Sequence, residues 1–471
     1  MKKWDLFING EWVSLSEQID IVNPSNGKLV GKVPKGGEKE AKQAVDAAHE
    51  AFSKWSSLTA NERSEIIMKW HELIKEETEE IAKLLTAEQG KPLKEAIGEV
   101  GYANSFLSWY AEEGKRIYGE SIPASASNKR LFVHRQPVGV IAAITPWNFP
   151  AAMITRKIAP ALASGCTAVI KPAEQTPLTA LYLAKLAEKA GIPAGVINVV
   201  TGDPKKIGET WMRDERVRKV TFTGSTEVGK LLMRQAADTV KKLSLELGGH
   251  APFIVMNDAD LNLAAEGVIA SKFRNAGQTC VCANRIYVHE DVVDSFLTKF
   301  IEKVRDLSVG DGFIDGNDIG PLINQDAVTK VVEQVEDAKN KGAQVLIGGE
   351  PISGLFYEPT VIAGVTDEMI CMTEETFGPV APVSTFQTID EVIERANDSR
   401  FGLAAYLYTQ NLSNAILMSE ALQYGIVGVN DALPSVAQAP FGGFKESGLG
   451  REGGHHGIEE FLETKYISIG I

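Results

Sequence analysis

Val138-Gly139-Val140-Ile141-Ala142-Ala143-Ile144-Thr145 is eight residues without a charge, followed at once by Pro146-Trp147-Asn148. A run this short and this apolar reads as a strand buried on both faces, the kind a parallel sheet contains. The residues beyond it repeat the theme. A helix is predicted over 151–163, a short strand over 168–171, a helix over 179–190 ending at Gly191, and a strand over 196–200. A strand at 219–222 leads into a helix over 226–237, and 243–247 closes the run. Short apolar strands alternating with helices predict a parallel sheet covered on both faces. Ligands of such sheets bind beyond the C-terminal ends of the strands. Four stretches fall there: 146–148, Lys171-Pro172-Ala173-Glu174, Gly224-Ser225 and Glu246-Leu247-Gly248-Gly249.

Toward the N-terminus the chain is strand-like up to a turn at Asn23-Pro24-Ser25-Asn26-Gly27. Ala41, Ala44, Val45, Ala48, Phe52 and Trp55 then recur at helical spacing, as do Ile66, Ile67, Trp70, Leu73 and Ile74. A third helix runs over about 91–116. These stripes read as core packing. Toward the C-terminus a second alternating unit begins near Pro252, with a strand at 253–256, a helix at 261–274 and a strand at 285–289, and continues to about Asn430. Gly248-Gly249 is the natural boundary between the units. The β-rich end, 465–471, is expected to join 131–135 in a small sheet that pairs with another subunit.

Composition narrows the function. A chain of 471 residues suggests two to three domains. With 44 % hydrophobic and 23 % charged residues it reads as globular, not disordered or coiled-coil. No apolar run reaches the ~18 residues of a membrane helix. Asp5, Asn9 and Glu11 interrupt any signal-peptide core, so a cytoplasmic location without membrane association is expected. A net charge of −14 leaves no basic footprint for nucleic acid. Four cysteines, Cys166, Cys280, Cys282 and Cys371, are too few for a disulfide framework, and no metal-ligand spacing is present, so no metal is expected.

Three stretches carry chemistry. The Gly-x-Gly-x-x-Gly fingerprint is missing from the first unit. In its place Phe222-Thr223-Gly224-Ser225-Thr226-Glu227-Val228-Gly229 follows a strand and opens a helix, where backbone N–H groups and the helix dipole can hold a pyrophosphate. A plain glycine turn is the alternative. Lys171 and Glu174 sit just past a strand and can bind an adenosine ribose. A carboxylate beside the 2′-oxygen favours NAD over NADP. A solvated ion pair is the alternative there. In Phe273-Arg274-Asn275-Ala276-Gly277-Gln278-Thr279-Cys280 the cysteine has small, polar neighbours, unlike a core run, and cysteine is a strong nucleophile once ionised. Cys282 is either a small residue beside this loop or a redox partner for Cys280.

Seven collinear motifs resemble the aldehyde dehydrogenase superfamily: 146–150, 171–174, 224–229, 245–249, 277–280, 375–379 and 440–443. The resemblance covers essentially the whole chain. It implies an α/β fold in three parts: a Rossmann-like parallel-sheet NAD(P)-binding domain (1–117 and 139–248), an α/β catalytic domain (249–430), and a small β oligomerisation sheet (118–138 and 455–471). It further implies Cys280 as nucleophile, forming a thiohemiacetal and then a thioester. Asn148 and the Cys280 N–H would stabilise the oxyanion, and Glu246 would be the general base for hydrolysis. Trp147, Lys171, Glu174, Gly224, Ser225, Leu247, Glu375 and Phe377 would bind NAD or NADP. Lys157 is a weaker cofactor neighbour.

Within the superfamily, 271–275, 280–285 and 441–453 are most similar to succinate-semialdehyde dehydrogenases. That implies a semialdehyde substrate bearing a carboxylate. A guanidinium suits that group, and the similarity places Arg156 and Arg274 toward the substrate tail, with Ser435 as a third contact. A glutarate semialdehyde or an uncharged aliphatic aldehyde is the alternative. The resemblance implies a homodimer or homotetramer.

Overall fold

The computed structural model describes residues 4–471, so Met1, Lys2 and Lys3 of the N-terminal reading lie outside the described residues. The first sheet has eight strands. Its centre is five parallel strands in the spatial order Ile197–Val199, Thr167–Lys171, Val140–Ile144, Val217–Thr223, Lys242–Glu246. Antiparallel strands extend both edges: Leu6–Ile8 and Glu11–Val13 on one side, Gly448–Leu449 on the other.

The pleat explains the apolar run. Ile141, Ala143, Ala168 and Ile170 enter one core, with the helices Ala60–Glu76, Leu93–Glu113, Ala152–Ser164 and Leu178–Lys189. Val140, Ala142 and Val169 enter the core on the opposite face, against Ala41, Ala44 and Trp211. Successive side chains point to opposite faces, so a strand between two cores must be apolar at every position. Two helices escape the reading of apolar stripes. One is Thr78–Gln89. The other is Pro204–Arg213, opened by Asp203, whose side chain accepts the Lys205 and Lys206 N–H groups ahead of a proline-started first turn.

The chain builds this sheet outward from Val140–Ile144 to Ile197–Val199. It then crosses back to lay Val217–Thr223 on the other side of Val140–Ile144. Strand order reverses at that point, and a crevice opens at the strand ends there. Pro146-Trp147-Asn148 and Gly224-Ser225 are the two loops that flank it.

A second sheet of seven strands follows, ordered Gln344–Ile347, Thr360–Ala363, Val380–Phe386, Ala283–His289, Ala251–Val255, Ala404–Tyr408, Ile426–Val429. All neighbours are parallel except the first pair. A third sheet sets Leu462–Gly470 antiparallel to Lys129–Pro137 over nine residue pairs, with Glu120–Ile122 beyond. Tyr466 and Ile469 on the terminal strand are exposed. No helix among the described residues is long and apolar enough to cross a membrane.

Candidate active site

Cys280 sits between the two large sheets, in the loop that enters the strand Ala283–His289. The approach to it is strained. Asn275, Ala276 and Gly277 take φ values of 51, 55 and 75°, three left-handed residues in succession. Glycine does this freely, but a Cβ in that region costs about 1–2 kcal/mol. Gly277 has a second reason to be glycine: a Cβ there would lie 2.1 Å from the Gly378 carbonyl.

Buried polar contacts hold the turn. Glu95 Oε2 accepts the Asn275 N–H at 2.9 Å. The Asn275 side-chain amide accepts from Gln89 at 2.9 Å and donates to the Asn148 carbonyl at 3.0 Å. Gln278 donates to Asn275 and Pro321 carbonyls and accepts the Ile323 N–H. Asn148 Nδ2 donates to the Gln278 carbonyl at 3.0 Å, which aims this amide along the nucleophile loop. Two asparagines, two glutamines and Glu95 thus fix the loop that carries the thiol.

The backbone after Glu246 packs against the same loop. A Cβ on Gly249 would lie 2.1 Å from the Cys280 carbonyl oxygen. Gly249→Ala is therefore expected to displace the thiol and lower kcat by about 100-fold, the scale of a 1 Å misplacement. Initial rates read the loss, and a thermal melt separates it from unfolding.

Two cavities converge on Cys280. The first, about 350 Å³, is lined by Cys280, Thr279, Arg156, Arg274, Ser435, Phe149, Tyr102, Tyr406 and Phe441, among others. It gathers all three residues expected at a substrate tail. The second, about 300 Å³, is lined by Cys280, Trp147, Asn148, Gly224, Ser225, Leu247, Glu375 and Phe377, with Met153 shared between the two. Trp147 and Phe377 meet edge to face at 5.6 Å. Ser225 caps the helix Thr226–Ala236, accepting the Val228 N–H, so the N-terminal turn of that helix borders the cavity. Gly229 lets the helix close on Leu247, since a Cβ there would stand 2.5 Å from a Leu247 methyl.

Four of the expected residues stand outside both cavities, the weaker candidate Lys157 among them. Lys171 and Glu174 form an ion pair at the end of the neighbouring strand Thr167–Lys171. Burial lowers the Lys171 pKa, and Glu174 opposes that. Glu246 ends its strand beside Thr223, which does line the second cavity. Both Glu246 carboxyl oxygens are buried without a hydrogen-bond partner.

Electrostatics follow from burial. The Cys280 thiol is pushed up to about 12, first by desolvation, with Glu375 and Glu246 adding to it and Arg156 opposing. Glu246 is raised well above the ordinary carboxyl range, by burial and by the neighbouring Glu452 charge. Glu375 is raised to about 7 by burial, although its Oε1 accepts the Gly249 N–H at 2.9 Å.

The two arginines differ in their partners, although the Nε of each is buried without a hydrogen bond. Arg156 is buried against Glu452 Oε2 at 2.8 Å, and the Phe441 ring lies 3.9 Å from its guanidinium carbon. Arg274 faces the Phe149 ring at 5.4 Å, and its Nε is buried with no hydrogen-bond partner. Glu452 also pairs with Lys157, which donates to Thr223 Oγ1. Lys157 is thereby occupied, and it lines neither cavity. Sequence reading misses Glu452 as a partner of both cations, because its contacts cross 295 residues or more. Cys282 is a buried free thiol within 3.6 Å of the Lys272 carbonyl. Among the described residues no group of His, Cys, Asp or Glu is arranged to hold a metal ion.

Comparison with known proteins agrees with this geometry. The model of the aldehyde dehydrogenase family matches residues 12–467. The chain is 55 % identical over 468 residues to the succinate-semialdehyde dehydrogenase [NADP(+)] of Escherichia coli, covering 98 % of this chain and 97 % of that one. It is 54 % identical over 467 residues to the glutarate-semialdehyde dehydrogenase of Pseudomonas putida, covering 99 % and 97 %. The crystal structure of succinate-semialdehyde dehydrogenase from Burkholderia pseudomallei superposes with a TM-score of 0.99 at 51 % identity, covering 100 % of this chain and 98 % of that one. With a family match over nearly its full length and relatives above half identity, the chain belongs to the aldehyde dehydrogenase family.

Proposed function

We propose that this protein oxidises succinate semialdehyde to succinate, using NAD or NADP, through a covalent adduct on Cys280. The observation that carries the reading is the first cavity. It ends at a thiol and is walled by two guanidinium groups, Arg156 and Arg274, each of which keeps a buried Nε without a hydrogen-bond partner. A carboxylate a few carbons from an aldehyde supplies the missing partner.

The second cavity fits a nicotinamide cofactor. It carries an aromatic wall, a helix N-terminus for phosphate and the Glu375 carboxylate for ribose hydroxyls. Trp147, Gly224, Ser225, Leu247, Glu375 and Phe377 would hold the inner part of the molecule, and Lys171 with Glu174 the adenosine ribose. When bound, the cofactor supplies the two-electron acceptor for the oxidation. Glu174 already occupies the Lys171 ammonium, so a 2′-phosphate would meet a carboxylate there, and this favours NAD.

The protein's own residues do the rest. The Cys280 thiol gives up its proton to water, its sulfur bonds to the aldehyde carbon as the carbonyl π bond breaks, and the oxygen takes up the negative charge beside Asn148 Nδ2 and the Cys280 N–H. After oxidation a thioester remains on Cys280. Glu246 then takes a proton from the water that attacks that carbon, and the acid leaves as the thiol is restored. The exposed sheet bearing Tyr466 and Ile469 is the surface we assign to self-association.

The test is initial rate by reduced-nicotinamide absorbance with succinate semialdehyde, glutarate semialdehyde and butyraldehyde, each with NAD and NADP. Succinate semialdehyde is expected to lead butyraldehyde in kcat/KM by at least about tenfold, roughly 1.4 kcal/mol of discrimination. Arg274→Ala is expected to cost roughly 30-fold on succinate semialdehyde, the scale of a hydrogen bond to a charged group, and to spare butyraldehyde. Equal rates on both aldehydes in the native protein would sink the reading.

A further inference from the structure

The helix Leu93–Glu113 reads in sequence as a core helix, and Val100, Ala103, Phe106 and Leu107 do pack in the core. Another of its faces has a different job. Glu95, Gly98, Glu99 and Tyr102 recur at i, i+3, i+4 and i+7, which is one stripe of a helix surface. All four line the cavity that ends at Cys280. Both carboxylates on the stripe are occupied. Glu99 pairs with Lys91 at 2.6 Å and accepts the Ala151 N–H at 2.9 Å. Glu95 accepts the Asn275 N–H at 2.9 Å.

Tyr102 is the unoccupied member. Its ring is held edge-on to Phe106 at 5.0 Å, and the guanidinium of Arg156 faces the same Phe106 ring at 5.8 Å. Among the described residues its hydroxyl has no hydrogen-bond partner. The other phenol of the cavity, Tyr406, is spent on the Val281 carbonyl at 2.6 Å. Burial raises the Tyr102 pKa, so the phenol keeps its proton at neutral pH and acts as a donor. A free phenol donor standing in one cavity with two arginines has no protein acceptor to satisfy.

We propose that Tyr102 donates a hydrogen bond to the distal carboxylate of the substrate, completing with Arg274 and Arg156 the group that selects a carboxylate-bearing aldehyde. This rests on the semialdehyde reading above. The position of Tyr102 on a packed helix makes it a rigid donor, so it discriminates through affinity and leaves the covalent steps alone.

Tyr102→Phe removes the one oxygen and keeps the ring contact with Phe106. The native protein and the variant are assayed with succinate semialdehyde and butyraldehyde. The expected result is a KM for succinate semialdehyde raised about tenfold, with kcat unchanged and butyraldehyde kinetics unchanged. The butyraldehyde rate of the variant also reports that its active site is folded. An unchanged preference in the variant, against a strong preference in the native protein, overturns the Tyr102 assignment alone. An equal loss on both aldehydes assigns Tyr102 a structural role and also overturns it. No preference in the native protein overturns the semialdehyde reading, and the Tyr102 assignment with it.

Discussion

Cys280→Ala is expected to lower aldehyde oxidation by about ten-thousandfold or more, the scale on which enzymes lose activity when a covalent nucleophile is removed. The native thiol must also show its environment before any substrate is added. Its pKa is pushed up to about 12 because burial disfavours the thiolate and the Glu375 and Glu246 carboxylates add to that. Arg156 offsets only part of it. The thiolate is the reactive form. A group whose pKa is raised stays protonated through neutrality and ionises as pH climbs. Alkylation of Cys280 by iodoacetamide in the substrate-free protein should therefore accelerate about tenfold per pH unit over roughly pH 7 to 10, with no plateau. A plateau near neutral pH would show instead that the resting thiol is activated. Peptide mapping separates this site from Cys166, Cys282 and Cys371, all of which are buried.

Glu246→Gln is expected to divide the reaction in two. The first half, ending in the thioester, needs no base at position 246. The second half, hydrolysis, loses a general base worth about 100- to 10,000-fold. One equivalent of reduced nicotinamide should form quickly per active site, followed by a steady rate lower by that factor. The change is gentle structurally, because neither Glu246 oxygen has a hydrogen-bond partner to lose. In the native protein the same residue is expected to set a pH dependence. Burial and Glu452 raise its pKa, so its basic form is lost as pH falls, and the hydrolytic step should slow on the acid side. Stopped-flow absorbance reads both effects. A variant with no burst, or with a full steady rate, would move the base elsewhere.

Much of this architecture was legible in the residues. The strands Val140–Ile144 and Thr167–Lys171 read as apolar runs because each lies between two cores, as Ile141 and Ala142 show by entering opposite ones. The crevice residues were legible because strand ends in such a sheet are loop positions, where Pro146-Trp147-Asn148 and Gly224-Ser225 are out of place as packing. Other features had no local signal. Pro204–Arg213 has only Ile207, Gly208, Trp211 and Met212 buried, too few to stand out as a stripe, although Asp203-Pro204 marks its start. Glu452 looks like one charge among many until the fold brings it to Arg156 and Lys157. Tyr102 was hidden for a subtler reason. A stripe that lines a cavity and a stripe that packs a core share the 3.6-residue period, and only the neighbouring helices decide which it is. Lys171 and Glu174 were read as adenosine contacts, and the structure sets them beyond the inner cavity as an ion pair.

The most direct measurement is the mass of the Glu246→Gln protein after mixing with succinate semialdehyde and oxidised cofactor, quenched in acid within the burst. The expected result is one succinyl group per chain, located by digestion on Cys280. An unmodified chain, or an adduct on any other residue, would contradict covalent catalysis at this thiol.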